Sequence, residues 1–379
     1  MKGWCILRFN TYVLRIICIS LLLPLITACQ RESPIEIGVV GTLTGPNSDL
    51  SISGRRGIEI ALEEINTSGG LLSRDVVIKT MDDKNDSEEA LNAFEALTEN
   101  DIHLAIGPFT SGMIIGNIEA VNAMDLLVLG PTISADNLSN LDDHFIRLIA
   151  STKEQAVVLA KQVEKDAISK CMIVFDQRNE GFTESLISHF EEQIVKELGI
   201  TCTTLGINPQ EESATNKMMN TFKFIKPEGV FIIASAEDVA SFAQKLYLID
   251  HQVIMYAPLW ANTPELIKKG GKAVEHMRIV GAIDLKAASP AFSTFRETYI
   301  RHYGEEPTFA SMYAYEAMKV LAEAIEKTKQ LEPEKIKKYI IEKREYMGLQ
   351  GTFEIDENGD NIRDYMLFEN VDGKLRKVF

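Results

Sequence analysis

From Ile35 onward the hydrophobic positions alternate between two periods. Ile35–Gly41 is a short β-rich run. Ile58, Ala61, Leu62 and Ile65 then recur at helical spacing and mark one buried face. Gly69-Gly70 end that helix as C-cap residues. Val76–Met81 predicts a strand. Asp86 or Ser87 caps a helix through Leu97, with Glu88 and Glu89 in the first turn, where free N–H groups favour acids. His103–Gly107 predicts a strand, Ser111–Met124 a helix and Leu126–Gly130 another strand. Strands separated by helices of this length need crossovers, so the sheet is parallel with helices on both faces.

The alternation restarts after about residue 150. Cys171–Phe175, Thr201–Ile207, Gly229–Ala234 and Gln252–Ala257 read as strands, with helices near 183–198, 213–225 and 237–250 between them. Arg278–Ile283 is one more strand, followed by helices near 289–303, 309–328 and 333–342. The tail reads as a β meander, with turn signals at Asp356-Glu357-Asn358-Gly359 and Asp372-Gly373. No low-complexity linker separates the two α/β halves. Two lobes without a long linker share short crossing strands, a geometry that makes a hinge with a cleft at the strand ends.

The first residues carry a different pattern. Lys2, Arg8 and Arg15 form a positive region without an acid, and Ile16–Ala28 is an apolar stretch of 13 residues. That is shorter than the roughly 18–20 a spanning helix needs. Ile26-Thr27-Ala28-Cys29 follows, with small residues before a cysteine. Residues 1–28 are therefore expected to be a secretory signal. The cysteine at the cut site resembles a bacterial lipobox, which makes Cys29 a lipidated N-terminus. Lipid chains at about 0.8 kcal/mol per buried methylene hold such a protein on a membrane without a spanning helix. A plain signal peptide with an incidental cysteine, or a short anchor, is the simpler alternative. Gln30, rather than Asp, follows the cysteine and favours outer-membrane sorting in a cell with two membranes.

Composition narrows the partners. The chain of 379 residues has 45% hydrophobic and 25% charged residues and a net charge of −16. Loss of the three signal-peptide cations leaves 36 basic against 55 acidic residues, a balance of −19. So acidic a surface repels phosphate, which excludes nucleic acid as a partner. Beyond Cys29, the cysteines of the mature chain are Cys171 and Cys202, both on predicted strands. Two buried thiols are the expected outcome, with a disulfide as the alternative in an oxidising compartment.

Candidate chemistry is sparse. Six histidines are scattered without metal-ligand spacing, and no GxSxG, Walker or HExxH motif occurs. Gly38, Gly41 and Gly45 do not have dinucleotide-loop spacing. Asp82-Asp83 sits at a strand end, where a solvated turn or hinge contact is the simpler reading than an acid–base pair. No cofactor, metal or enzymatic activity is expected.

Several segments, in order along nearly the whole mature chain, resemble the bacterial periplasmic leucine/isoleucine/valine-binding proteins. They are Ile37–Gly45, Gly54–Gly70, Met81–Asp86, Ile106–Ser111, Gly130–Ser139, Ile232–Asp238, Trp260–Gly271 and Gly348–Asp360. The resemblance implies a type I periplasmic binding fold: two doubly wound parallel-sheet α/β lobes joined by a three-strand hinge. Lobe 1 is expected at 35–150 and 284–352, and lobe 2 at 151–283 and 353–379. The crossings are expected near Arg147–Ser151, Gly281–Asp284 and Phe353–Asp356. The implied role is to capture a small molecule outside the cytoplasm and deliver it to an ABC permease, as a monomer.

The resemblance also implies binding residues. Phe109-Thr110-Ser111 is expected to start a helix after a strand, where free N–H groups and a hydroxyl favour a carboxylate. Thr132-Ile133-Ser134 is expected to do the same after the next strand. The family's roles fall on Ser111 for the carboxylate and on Thr132 and Ser134 for the ammonium. In the second lobe the family places an aromatic residue after the first strand. Direct alignment puts Glu180 there, and a two-residue shift puts Phe182 there. The acid that usually holds the ammonium falls near Leu259 or Trp260, neither of which is charged. Glu180, Glu237 or Asp238 are alternative partners. Otherwise the ligand is an aromatic or aliphatic carboxylate, or an amide. Trp260 and Phe182 favour an apolar or flat group, and Phe309 is a candidate wall. A capping role for Asp238 and core roles for the aromatics are the simpler alternatives.

The leading expectation is a clamshell solute-binding lipoprotein of an ABC importer for a branched-chain or other amino acid. A sensory module that passes its closed state to a receptor is the second. An enzyme using Asp82, Asp83 or Glu180 is the third.

Overall fold

The computed structural model describes residues 33–45, 48–287 and 289–378. The expected signal segment 1–28 and Cys29 lie outside the described residues. No described helix is long and apolar enough to cross a membrane.

Strand β1 (Ile35–Gly41) buries every side chain but Glu36, as befits a central strand covered on both faces. It lies between β2 (Val76–Asp82) and β3 (Leu104–Ile106); β4 (Leu127–Gly130) and β5 (Phe145–Arg147) complete a five-stranded sheet in the order β2-β1-β3-β4-β5. All of its pairings are parallel. Helix α1 (Ser48–Thr67) and helix α2 (Ser87–Thr98) make the first two crossovers. Asp86 caps α2, accepting from the N–H groups of Glu88 and Glu89, which satisfies two donors the helix cannot.

The single helix expected over Ser111–Met124 is instead two short ones, α3 (Gly112–Ile115) and α4 (Ile118–Ala123). Between them the Asn117 amide donates to the carbonyls of Met113 and Ser87, each at 2.9 Å. A side chain thus competes with the backbone ladder where the helix breaks. Ser111 is itself helical and makes no side-chain cap bond.

The second sheet gathers β6 (Lys170–Asp176), β7 (Thr201–Ile207), β8 (Gly229–Ile233), β9 (Ile254–Ala257) and β10 (Arg278–Gly281). Its helices are α5 (Thr152–Lys165), α6 (Glu180–Glu191), α7 (Ala214–Ile225), α8 (Ala236–Tyr247) and α9 (Pro264–Gly270). The parallel core is extended by β14 (Met366–Val371) and β15 (Lys374–Lys377), both antiparallel, giving the order β15-β14-β10-β9-β8-β6-β7. The Asp372-Gly373 turn signal becomes a two-residue hairpin with φ of 53° and 70°, the left-handed geometry that matches strand twist.

Cys171 and Cys202 stand directly opposite one another in the β6–β7 register, with Cα atoms 4.5 Å apart, and are disulfide-bonded. The expectation of two free buried thiols is corrected accordingly.

After β10 the chain forms α10 (Pro290–Tyr303), α11 (Phe309–Thr328) and α12 (Pro333–Lys343). Helix α11 packs along α1, so closely that a Cβ on Gly57 would overlap the Ser311 backbone. A small antiparallel sheet follows, β11 (Glu345–Gly348), β12 (Gly351–Ile355) and β13 (Asn361–Ile362). The chain passes between the two large sheets at 148–151, at 282–287 and between β13 and β14. The third crossing therefore lies at 363–365 rather than at the expected Phe353–Asp356. Phe353–Ile355 are held in β12 of the small sheet, and the Gly359 carbonyl accepts from the Arg147 N–H at 3.0 Å. Arg363 anchors the crossing: it pairs with Glu316 of α11 at 2.6 Å and lies 3.8 Å over the Phe353 ring.

Candidate functional site

The strands of a parallel sheet end on one edge, and the loops there are free to carry ligand contacts. After β3 the chain turns at Gly107, at φ 106°, and delivers Phe109, Thr110 and Ser111 to that edge. After β4 it delivers Thr132 and Ser134. The Thr132 hydroxyl donates to the Phe109 carbonyl at 2.6 Å and ties the two loops together. The Ser111 Oγ accepts from the Ala135 N–H at 3.4 Å. Behind them the Phe109 ring packs so tightly on α1 that a Cβ at Gly54 would overlap it.

The second lobe faces these loops across a narrow cavity. Asn179, Phe182, Leu259 and Trp260 come from the ends of β6 and β9, and Gln155 from the first turn of α5. Phe182 and Trp260 meet edge to face, with centroids 5.6 Å apart at 82°, an arrangement favoured by the ring quadrupoles. Gln155 spans the gap. Its amide nitrogen donates to the Ser134 Oγ at 3.5 Å, and its oxygen accepts from the Leu259 N–H at 3.1 Å. Leu50, Ile149 and Phe309 complete the wall.

The lobes also touch beside the cavity. The Ser134 carbonyl accepts from the Thr152 N–H at 2.7 Å. The Asp136 N–H donates to the Ser185 Oγ at 2.9 Å, and its carboxylate meets His189 Nε2 at 3.1 Å. Burial pushes the Asp136 carboxyl up, but the Ser139 hydroxyl and His189 outweigh it and hold it below the usual range.

Of the expected site residues, Phe109, Ser111, Thr132, Ser134, Phe182, Trp260 and Phe309 line this one cavity. Glu180 and Asp238 are not among its lining residues. Glu180 is exposed at the start of α6. Asp238 accepts from Arg178 and from the Ser235 hydroxyl, and Arg178 is also clamped by the fully buried Asp176. Burial raises the Asp238 carboxyl despite Arg178 beside it. Glu237 pairs with Lys269 at 2.9 Å.

The cavity adds Leu50, Thr110, Ile149, Gln155, Asn179 and Leu259. Gln155 had a readable signal, since it is a polar residue on the stripe that Ala156, Leu159 and Val163 bury on α5. Leu50 had none, because α1 starts ten residues before its first periodic mark at Ile58. Two lining groups have no partner among the described residues: the Thr110 hydroxyl and the Trp260 indole N–H, both buried.

None of the lining side chains is an acid, a base or a thiol. Hydroxyls, amides and aromatic rings drawn from both lobes can hold a small molecule and exclude water. Two α/β lobes around such a crevice define a solute-binding protein of the clamshell type.

The chain belongs to the periplasmic binding protein family, whose model matches residues 34–374. It is 22% identical to Leu/Ile/Val-binding protein homolog 3 of Brucella melitensis over 352 residues, 92% of this chain and 94% of that one. The leucine-binding protein LivK of Thermotoga maritima superposes with a TM-score of 0.82 at 22% identity, covering 91% of this chain and 98% of that one. A solute-binding protein of R. palustris in complex with benzoate superposes with a TM-score of 0.80 at 15% identity, covering 91% and 96%. As a member of this family the chain is an extracytoplasmic solute-binding protein and not an enzyme.

Proposed function

We propose that this protein is the solute-capturing lipoprotein of an ABC importer and takes a small carboxylate-bearing molecule into the interlobe cavity. The observation that carries the reading is the shared lining: Ser111 and Ser134 from one lobe face Phe182 and Trp260 from the other across a single cavity. The carboxylate meets Ser111, Thr132 and Ser134 first, and the aromatic pair then closes over its apolar body, with Phe109 and Phe309 as walls. Each lobe supplies part of the binding free energy, so ligand favours the closed state by its differential affinity. The closed form is what a permease distinguishes from the open one. The named ligands of the relatives and neighbours, branched-chain amino acids and benzoate, support a small carboxylate. Lipid on Cys29 keeps the protein, a monomer, beside the permease on the outer side of the membrane.

Calorimetry with leucine, isoleucine, valine, phenylalanine and benzoate tests the binding role. At least one is expected to bind, with affinity lost in Ser111→Ala; unaltered affinity in that variant would reject the carboxylate site. Labelling with a radioactive fatty acid tests the anchor, and label retained in Cys29→Ser rejects it.

A further inference from the structure

We infer that the solute this cleft takes carries no ammonium group: it is a monocarboxylate with an aliphatic or aromatic body, not an α-amino acid. This rests on the reading above, that the interlobe cavity is the binding site.

Two observations carry it. The first is the fate of the carboxylates flanking the crevice, of which Glu180 lies exposed at the start of α6, outside the lining. No lining side chain bears a negative charge. Asp49, next to the lining residue Leu50, accepts from Thr263 across the crevice mouth at 3.3 Å, and burial raises its carboxyl. Asp83 is fully buried, accepting from Thr42 at 2.6 Å and from the Asn85 N–H at 2.9 Å. Asp176 and Asp238 are spent on Arg178. The internal positions outside the described residues, Pro46, Asn47 and Ala288, contain no acid. An ammonium closed into this cavity meets no counter-charge among the lining side chains, whereas a carboxylate meets hydroxyl and N–H donors, and burying a charge without partners is costly for a binding site.

The second observation is the unpartnered Trp260 Nε1, on a side chain only 5% exposed. An indole N–H donates and cannot accept. It is completed by an acceptor on the ligand, and an ammonium, which only donates, leaves it unsatisfied. The Thr110 hydroxyl, also buried and unpartnered, donates to an acceptor equally well. The cleft therefore offers two unpaired donors, apolar walls and no lining acid: what a carboxylate on a greasy body needs, without the counter-charge a zwitterion's ammonium needs.

The test compares each amino acid with its deaminated twin on the purified full-length protein by isothermal calorimetry: leucine against 4-methylpentanoate, and phenylalanine against 3-phenylpropanoate. The expected result is that a deaminated acid binds at least about 100-fold tighter than its amino acid, and that Trp260→Phe weakens that binding. Leucine or phenylalanine binding as tightly as its twin overturns the inference while leaving solute capture intact, the more so if Asp49→Asn then abolishes amino-acid binding. Affinities unchanged in both Ser111→Ala and Trp260→Phe place the ligand elsewhere and overturn the site itself. No binding by any of the four overturns both.

Discussion

The Gly112 N–H donates to Asn179 Oδ1 at 3.2 Å, and this hydrogen bond joins the main chain of one lobe to a side chain of the other. The bond spans the crevice, so opening the crevice would break it. A net hydrogen bond is worth about 0.5–1.5 kcal/mol, so Asn179→Ala is expected to weaken ligand binding about 2- to 10-fold by disfavouring the closed state. Its melting temperature in the absence of ligand should change little. Calorimetry beside a thermal melt checks both; a large loss of stability would assign Asn179 to the packing of its own lobe.

Gly54 and Phe109 make the second prediction. A Cβ on Gly54 overlaps the Phe109 ring, and Phe109 lines the cleft. Gly54→Ala is expected to drive the ring toward the ligand space, at an overpacking cost of about 1–3 kcal/mol. Binding should fall by at least about 10-fold in a protein that still folds, as read by circular dichroism and calorimetry. Wild-type affinity in the variant would mean that α1 yields instead.

Asp143 makes the protein less stable as pH rises. Burial pushes its carboxyl up to about 6, although the Phe145 N–H pulls the other way. Its Oδ1 accepts that N–H at 3.0 Å, and its Oδ2 has no partner. An acid whose folded pKa exceeds the unfolded value, about 4, holds its proton more tightly when folded. Its cost to the fold is absent below about pH 4 and complete above about pH 6. Asp143→Asn is therefore expected to stabilise the protein by about 1–3 kcal/mol at pH 7.5 and by nothing at pH 4. Urea unfolding at the two pH values decides it, and equal effects at both would contradict the assignment.

The Cys171–Cys202 bridge closes a loop with a sequence separation of 31. A loop of that size contributes about 2–4 kcal/mol, chiefly by restricting the unfolded chain. Reduction, or Cys171→Ser with Cys202→Ser, should lower the urea midpoint accordingly without altering ligand affinity, because neither residue lines the cleft. A midpoint that does not move, with two free thiols counted, would contradict this.

Much of the fold was legible in local pattern. Ile58, Ala61 and Ile65 are all buried on α1, as their spacing requires. Asp86 caps α2 from the position its sequence context assigns. The glycines and serines around β3 and β4 were legible because loops at strand ends collect them. The Ser111–Met124 helix was not, because its break at Asn117 depends on a carbonyl of Ser87, thirty residues away.

Alone, the sequence determined the succession of strands and helices, the acidic balance, the resemblance to solute binders and most of the aromatic and hydroxyl residues of the cleft. These follow from periodicity and residue type, which act between near neighbours in the chain. Tertiary structure alone decided that Cys171 meets Cys202, that the third crossing falls at 363–365, and that Arg178 and Ser235 take Asp238 while Glu180 faces solvent. Those outcomes turn on strand register and on which distant charge reaches a carboxylate first, and a residue's neighbours in the chain do not encode either.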